Sequence, residues 1–232
     1  MSKLIDLSHK IEPSSKNPYA QYAGRVMIDT YQTYAVDGYL SHAIYMVDHT
    51  GTHVESSRHF KKGGVTIERS PLYDFYGRAA LLNLTHKKGR VDIEPNDLRK
   101  AASARNVDLV DVRIVLIRTD WSRLWGTREY QSNERPSITV RAHEWLLRRG
   151  IKTIGVDMPV NERDRLGSNT SIRPSDPERW PAHCLMKKHD FYIVENLTNL
   201  DRISNKYFTY IGFPLNFGGA AASPIRAIAV VE

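Results

Sequence analysis

The chain has 232 residues, with 33 Lys and Arg against 26 Asp and Glu, a formal net charge of +7, and 41% apolar residues. That apolar share excludes a disordered chain, and one cysteine, Cys184, excludes a disulfide scaffold. No apolar run reaches the ~18 residues of a membrane span, and the start MSKLIDLSHKIEP interrupts any signal-like stretch with charge and proline, so a reducing cytoplasm is the expected compartment.

In chain order, Leu4–Leu7 reads as an opening strand and Glu12–Gly24 as a loop rich in Pro, Ser and Asn. Tyr31–Asp48 reads as strand. Arg78–Leu84 has the length of a buried strand, and Pro95–Arg105 has helical spacing, with Leu98, Ala101 and Ala102 on one face. Asp111–Thr119 is a second β-branched run. Thr139–Arg149 is the clearest helix, its stripe drawn from Val140, Trp145, Leu146 and Leu147, with Gly150 as the stop. Ile151–Met158 reads as an inner strand. Asn161–Pro181 is too long and polar for a tight turn and reads as a lid or binding loop. Ala182–Lys188 reads as a short helix, then Phe191–Glu195 and Ile225–Val231 as strands. This interleaving predicts one mixed α/β domain over residues 1–232.

The basic residues are scattered in doublets such as Lys61–Lys62, Lys87–Lys88 and Lys187–Lys188, and no nucleic-acid motif is present. The predicted partner is therefore a small molecule, with a leaning toward anions, and neither nucleic acid nor membrane. NTS at 169–171 and NLT at 196–198 match glycosylation sequons, which lack meaning without a secretory signal.

Four of the nine histidines, His42, His49, His53 and His59, fall within eighteen positions. Imidazole nitrogen and carboxylate oxygen are the ligands of zinc and similar cations. On a strand, His53 and Glu55 share a face, and a bend at Gly51 returns His49 to the same point. Spacing alone leaves a polar strand edge open as a second reading. A distant segment, AHCLMKKHDFYIVENLTNL, adds His183 and Glu195 as candidates for completing such a centre.

The two segments, HTGTHVESSRHF and His183 with ENLTNL, together resemble the cyclase, or kynurenine formamidase-like, family of metal-dependent hydrolases. The family signature reads HxGTHxDxPxHF, followed downstream by a His and by a Glu within ENLxNL. IDLSH, YGRAALLNLT, VLIRTDW, EWLLRRGIKTIGVD and PLNFGGAAASPIRAIAV are similar to it as well, so the resemblance runs from about Leu4 to Val230. It implies an α/β fold of the swivelling β/β/α type, assembled as a homodimer or homotetramer. It implies a divalent cofactor, zinc or manganese, as one ion or two. His49, His53 and Glu55 would hold the first, and Glu55, His183 and Glu195 the second, with His59 as general acid/base.

By that resemblance, the activity is metal-assisted attack of water on an amide, formamide, lactam or lactone, or the reverse cyclisation. Two positions depart from the pattern. Glu55 replaces Asp and displaces its oxygens by about one C–C bond (~1.5 Å), and Ser57 replaces Pro, which is expected to loosen the approach to His59. These departures give the alternative, a cyclase-like protein that binds an anionic ligand or nucleic acid without hydrolysis. Cys184 beside His183 lacks a thiol-hydrolase signature and reads as a small buried hydrophobe. Tyr19 is a candidate substrate cover, and Asp157 and Asp164 are candidate pocket neighbours.

Overall fold

A computed structural model describes residues 2–15, 25–166, 172–173 and 175–232. Tyr19 and the 169–171 sequon lie outside the described residues. The first third of the chain holds β1 (Lys3–Asp6), β2 (Met27–Gln32), α1 (Tyr34–Asp37), β3 (Ser41–Tyr45), β4 (His53–Glu55) and β5 (Tyr76–Asn83). The middle holds β6 (Asp92–Ile93), α2 (Pro95–Ala104), β7 (Ile114–Arg118), β8 (Ser137–Ile138), α3 (Val140–Leu147) and β9 (Thr153–Val156). The last part holds β10 (Tyr192–Glu195), β11 (Tyr207–Ile211), β12 (Ala222–Pro224) and β13 (Ile228–Val231).

Nine strands form one sheet in the order β1-β13-β11-β5-β7-β9-β10-β4-β12. Its middle, β5-β7-β9-β10, is parallel, and the flanks are antiparallel. Strands covered on both faces must be apolar on both, and successive side chains alternate between the two covers. Thus Ala80, Leu82, Val115, Ile117, Ile154 and Ile193 pack on the side of α2 and α3, while Leu81, Ile114, Leu116 and Val194 pack on the other side. Gly155 in β9 leaves room for this packing: a Cβ there would lie 2.5 Å from Leu116 Cδ2 and 2.7 Å from Leu197 Cδ1, so both leucine side chains would have to shift.

Both longer helices start and stop where local chemistry dictates. Glu94 and Asp97 form a reciprocal capping box around Pro95 at the start of α2, which buries Leu98, Ala101 and Ala102. Thr139 caps α3 by accepting from the Ala142 N–H, and α3 buries Ala142, His143, Trp145 and Leu146. Val140 and Leu147, expected in its stripe, are only half-buried.

Tyr31–Asp48, expected as strand, is the end of a hairpin instead. Among the described residues, β2 and β3 pair only with each other, around α1, which ends at Gly38 with φ +78°. β11 and β12 were not expected from the sequence.

Candidate metal centre

β4 is three residues long and is held between β10 and β12. Its register with β10 places His53 opposite Glu195 and Glu55 opposite Ile193. Opposed residues share a face, as do residues two apart, so His53, Glu55 and Glu195 converge on one side while Val54 and Val194 enter the core on the other. Gly51, at φ +63°, turns the chain so that His49 reaches the same point. His183 arrives from the 3-10 helix His183–Lys187, and His59 from the 3-10 turn Ser57–His59.

Glu55 is the hub. Its Oε1 lies 3.4 Å from Nε2 of both His49 and His53, and its Oε2 lies 3.4 Å from Nε2 of His183. Glu195 lies 3.6 Å from His53 Nε2 through Oε2 and 3.7 Å from His183 Nε2 through Oε1. Two metal–ligand bonds of about 2.05 Å opening at a tetrahedral angle span about 3.3 Å, so these spacings are those of atoms that can share a cation. The donors of His49, Glu55 and His59 lie within 4.8 Å of one another, as do those of His53, Glu55 and Glu195. His59 stands beside His49 and Glu55 of the first set, and His183 Nε2 stands beside both Glu55 and Glu195.

Each imidazole is oriented through its other nitrogen. Nδ1 of His49 meets Asp48 Oδ1 (2.7 Å), Nδ1 of His53 meets the Gly51 carbonyl (2.9 Å), and Nδ1 of His183 meets Glu162 Oε1 (2.7 Å). With Nδ1–H donating outward, all three Nε2 lone pairs face carboxylate oxygens, an arrangement that asks for a shared cation between them. Glu55 Oε2 and His49 Nε2 are buried without a hydrogen-bond partner. The donor set therefore fits a divalent metal.

The charges agree with that demand. Burial alone would lower His183, but the carboxylates of Glu162, Glu195 and Glu55 hold it well above its ordinary range. Burial alone would raise Glu55, yet His183 and His53 hold it well below the carboxylate range. Glu195 is raised by burial and by the neighbouring Glu55 charge. His59 is pushed down to about 4 by burial and the surrounding imidazoles, with Glu55 opposing.

These groups line a cavity of about 290 Å³ whose other walls are Val47, Phe60, Val160 and Trp180. No lysine or arginine lines it among the described residues. His42 is exposed on β3, outside the cavity. Asp157 is buried elsewhere, accepting from the N–H groups of Thr119 and Asp120 and the Thr119 hydroxyl. Asp164 pairs with Arg179, and Cys184 is half-buried outside the lining.

Ser57 does not loosen the approach to His59. It is buried, its hydroxyl accepts from the Val65 N–H (3.0 Å), and its carbonyl accepts from Lys61 N–H (2.8 Å), so hydrogen bonds fix the turn where proline would have fixed φ. Sequence reasoning missed Asp48, Asn161, Glu162 and Trp180. Asp48 immediately precedes His49 and was the one with a visible signal.

A mixed α/β sheet with a buried histidine–carboxylate centre of metal-ligand spacing defines the class. The Cyclase family model matches residues 5–163, and the chain belongs to that family. It is 26% identical to the kynurenine formamidase of Bacillus cereus over 186 residues, covering 78% of this chain and 75% of that one. Its fold is similar to an isatin hydrolase bound to the product analogue thioisatinate (TM-score 0.83, 21% identity, 99% of this chain and 92% of that one). It is similar also to a structure described as a potential metal-dependent hydrolase with cyclase activity (TM-score 0.71, 22% identity, 100% and 99% covered).

Proposed function

We propose that this protein is a metal-dependent hydrolase that opens the carbon–nitrogen bond of an amide, formamide or lactam, or the ester bond of a lactone, with ring closure as the reverse reaction. The observation that carries the reading is the convergence of three imidazole Nε2 atoms on the Glu55 and Glu195 carboxylates at the base of a cavity. Family membership and the likeness to kynurenine formamidase and isatin hydrolase support it.

His49, His53 and Glu55 would hold one divalent ion, zinc or manganese, and Glu55, His183 and Glu195 a second. Such an ion, when bound, makes water acidic and polarises a carbonyl. The protein's own contribution follows from its geometry. Asp48, Gly51 and Glu162 keep the three imidazoles in the tautomer that presents Nε2. Trp180, Phe60, Val47 and Val160 exclude solvent and suit a small, uncharged, flat substrate. His59, unprotonated at neutral pH, takes the proton of the attacking water on its free ring nitrogen and passes it to the leaving nitrogen or oxygen.

Elemental analysis of purified protein is expected to find zinc or manganese. His59→Ala is expected to keep the metal and lose turnover by ~10²–10⁴-fold. A metal-free wild type that hydrolyses amides overturns the reading, and unchanged turnover in His59→Ala removes that residue from it. The same reading includes a homodimer or homotetramer working in the cytoplasm. Exposed Tyr31, Tyr34, Val36, Ile44 and Tyr45 on the β2–β3 hairpin support the assembly, and the single cysteine supports the compartment.

A further inference from the structure

Residues 160–162 form a strap between the metal centre and the helical layer, and all three of its carbonyls are claimed. The Val160 carbonyl accepts from Arg135 Nε (3.2 Å), that of Asn161 from the Ile138 N–H (2.9 Å), and that of Glu162 from Arg135 Nη2 (2.8 Å). Arg135 also donates through Nη1 to the Ser132 carbonyl (2.8 Å), and it is only 1% exposed. A buried guanidinium is expensive to desolvate, so its presence in the interior needs a reason. Its planar fork of five donors engages three carbonyls through three separate nitrogens in fixed geometry, which the single nitrogen of a lysine cannot reproduce.

The strap reaches the centre with two arms. The Asn161 N–H donates to Glu195 Oε1 (3.2 Å). The Glu162 carboxylate accepts from His183 Nδ1 (2.7 Å), the His183 N–H (2.8 Å) and the Ala182 N–H (2.9 Å). From the far side, wholly buried His143 donates through Nδ1 to the Thr139 carbonyl (2.9 Å), which leaves its Nε2 to accept from Asn161 Nδ2 (2.7 Å).

We propose that Arg135 and His143 are positioning residues of the metal centre: by clamping the 160–162 strap they fix, as one rigid unit, the donor that holds Glu195 and the carboxylate that holds His183. Neither lines the cavity. The inference rests on the metal-hydrolase reading and extends it to residues that touch neither metal nor substrate.

The test is calorimetric titration of apo protein with Zn²⁺ and with Mn²⁺, at a temperature where near-ultraviolet circular dichroism shows each variant folded. Wild type is expected to bind, and Arg135→Lys and His143→Gln to weaken the dissociation constant ~10–100-fold, the range for loss of outer hydrogen bonds around a metal ligand. Arg135→Lys combined with Glu162→Gln is expected to cost less than the product of the two single effects, because both act through the same strap. A purely structural role would lower the melting temperature and leave metal affinity of the folded protein unchanged. Unchanged affinity in either folded variant, or fully multiplicative effects in the double variant, overturns the proposal while the hydrolase reading stands. If one variant fails to fold, the other carries the test alone. A wild type that binds neither ion removes the metal-hydrolase reading, and the proposal falls with it.

Discussion

His9 stacks face to face on Trp125, with ring centroids 3.9 Å apart and planes 5° apart, and its N–H donates to the Thr52 hydroxyl (2.9 Å). Burial pushes its pKa down to about 4, with Asp6 opposing. Because the folded state binds this proton more weakly than the unfolded chain, at about 6.5, stability from this group is complete above about pH 6.5 and is lost as pH falls toward 4. His9→Phe keeps the stack and removes the titration. Thermal melts at pH 7.5 and 4.5 are therefore expected to show a smaller drop for His9→Phe than for wild type, and equal drops would refute this. Such a residue has no signature in the sequence, since IDLSH does not reveal that Trp125 lies over it. His49, His53, Glu55, His183 and Glu195 were legible because their residue types are rare in apolar surroundings and repeat a family pattern. Glu162 was not, because a carboxylate that accepts the N–H groups of a neighbouring turn leaves no spacing to read.

At the scale of elements, the turn that carries His59 is wedged against Gly64. A Cβ at Gly64 would lie 2.7 Å from the carbonyl carbon and oxygen of Ser57 and 2.8 Å from the Arg58 nitrogen, all main-chain atoms. Gly64→Ala must therefore displace Ser57–His59, at a strain of about 1–3 kcal/mol. The expected outcome is a lower melting temperature and at least a tenfold loss of turnover, with metal content kept, because His49, His53 and Glu55 sit on and before β4. Normal turnover in a folded Gly64→Ala would show that the exact seat of His59 is immaterial. The long runs of β5, β7 and β9 were legible from composition, as both faces are covered. β4 was legible only as a spacing: three residues become strand because β10 and β12 flank them. β11 alternates half-buried and buried side chains from Tyr207 to Ile211, a period of two too brief to stand out from its polar flanks. β12 ends in Pro224, which local propensity argues against.

For the whole molecule, the β2–β3 hairpin is the feature that the main sheet does not explain. A two-stranded hairpin is marginal in water by itself, yet this one exposes Tyr31 at 74% and Val36 at 86%. In the homo-oligomer proposed above, a second copy would cover this surface. Sedimentation velocity of wild type is expected to give a dimer or tetramer, and Tyr31→Lys with Ile44→Lys to give monomer. A monomeric wild type would refute this assembly. That such a surface existed was not legible, because tyrosines and β-branched residues read equally well as an inner strand.

The pairing of β4 with β10 carries a consequence for how the chain matures. Alternation means that a slip of one position would send His53 and Glu55 toward the core and bring Val54 to the cavity. A misthreaded copy would keep its secondary structure and much of its shape, yet it could not take up an ion. On the metal-hydrolase reading, capacity to take up an ion would therefore separate chains threaded in this alignment from those one step out of it, whatever the rest of the fold had achieved.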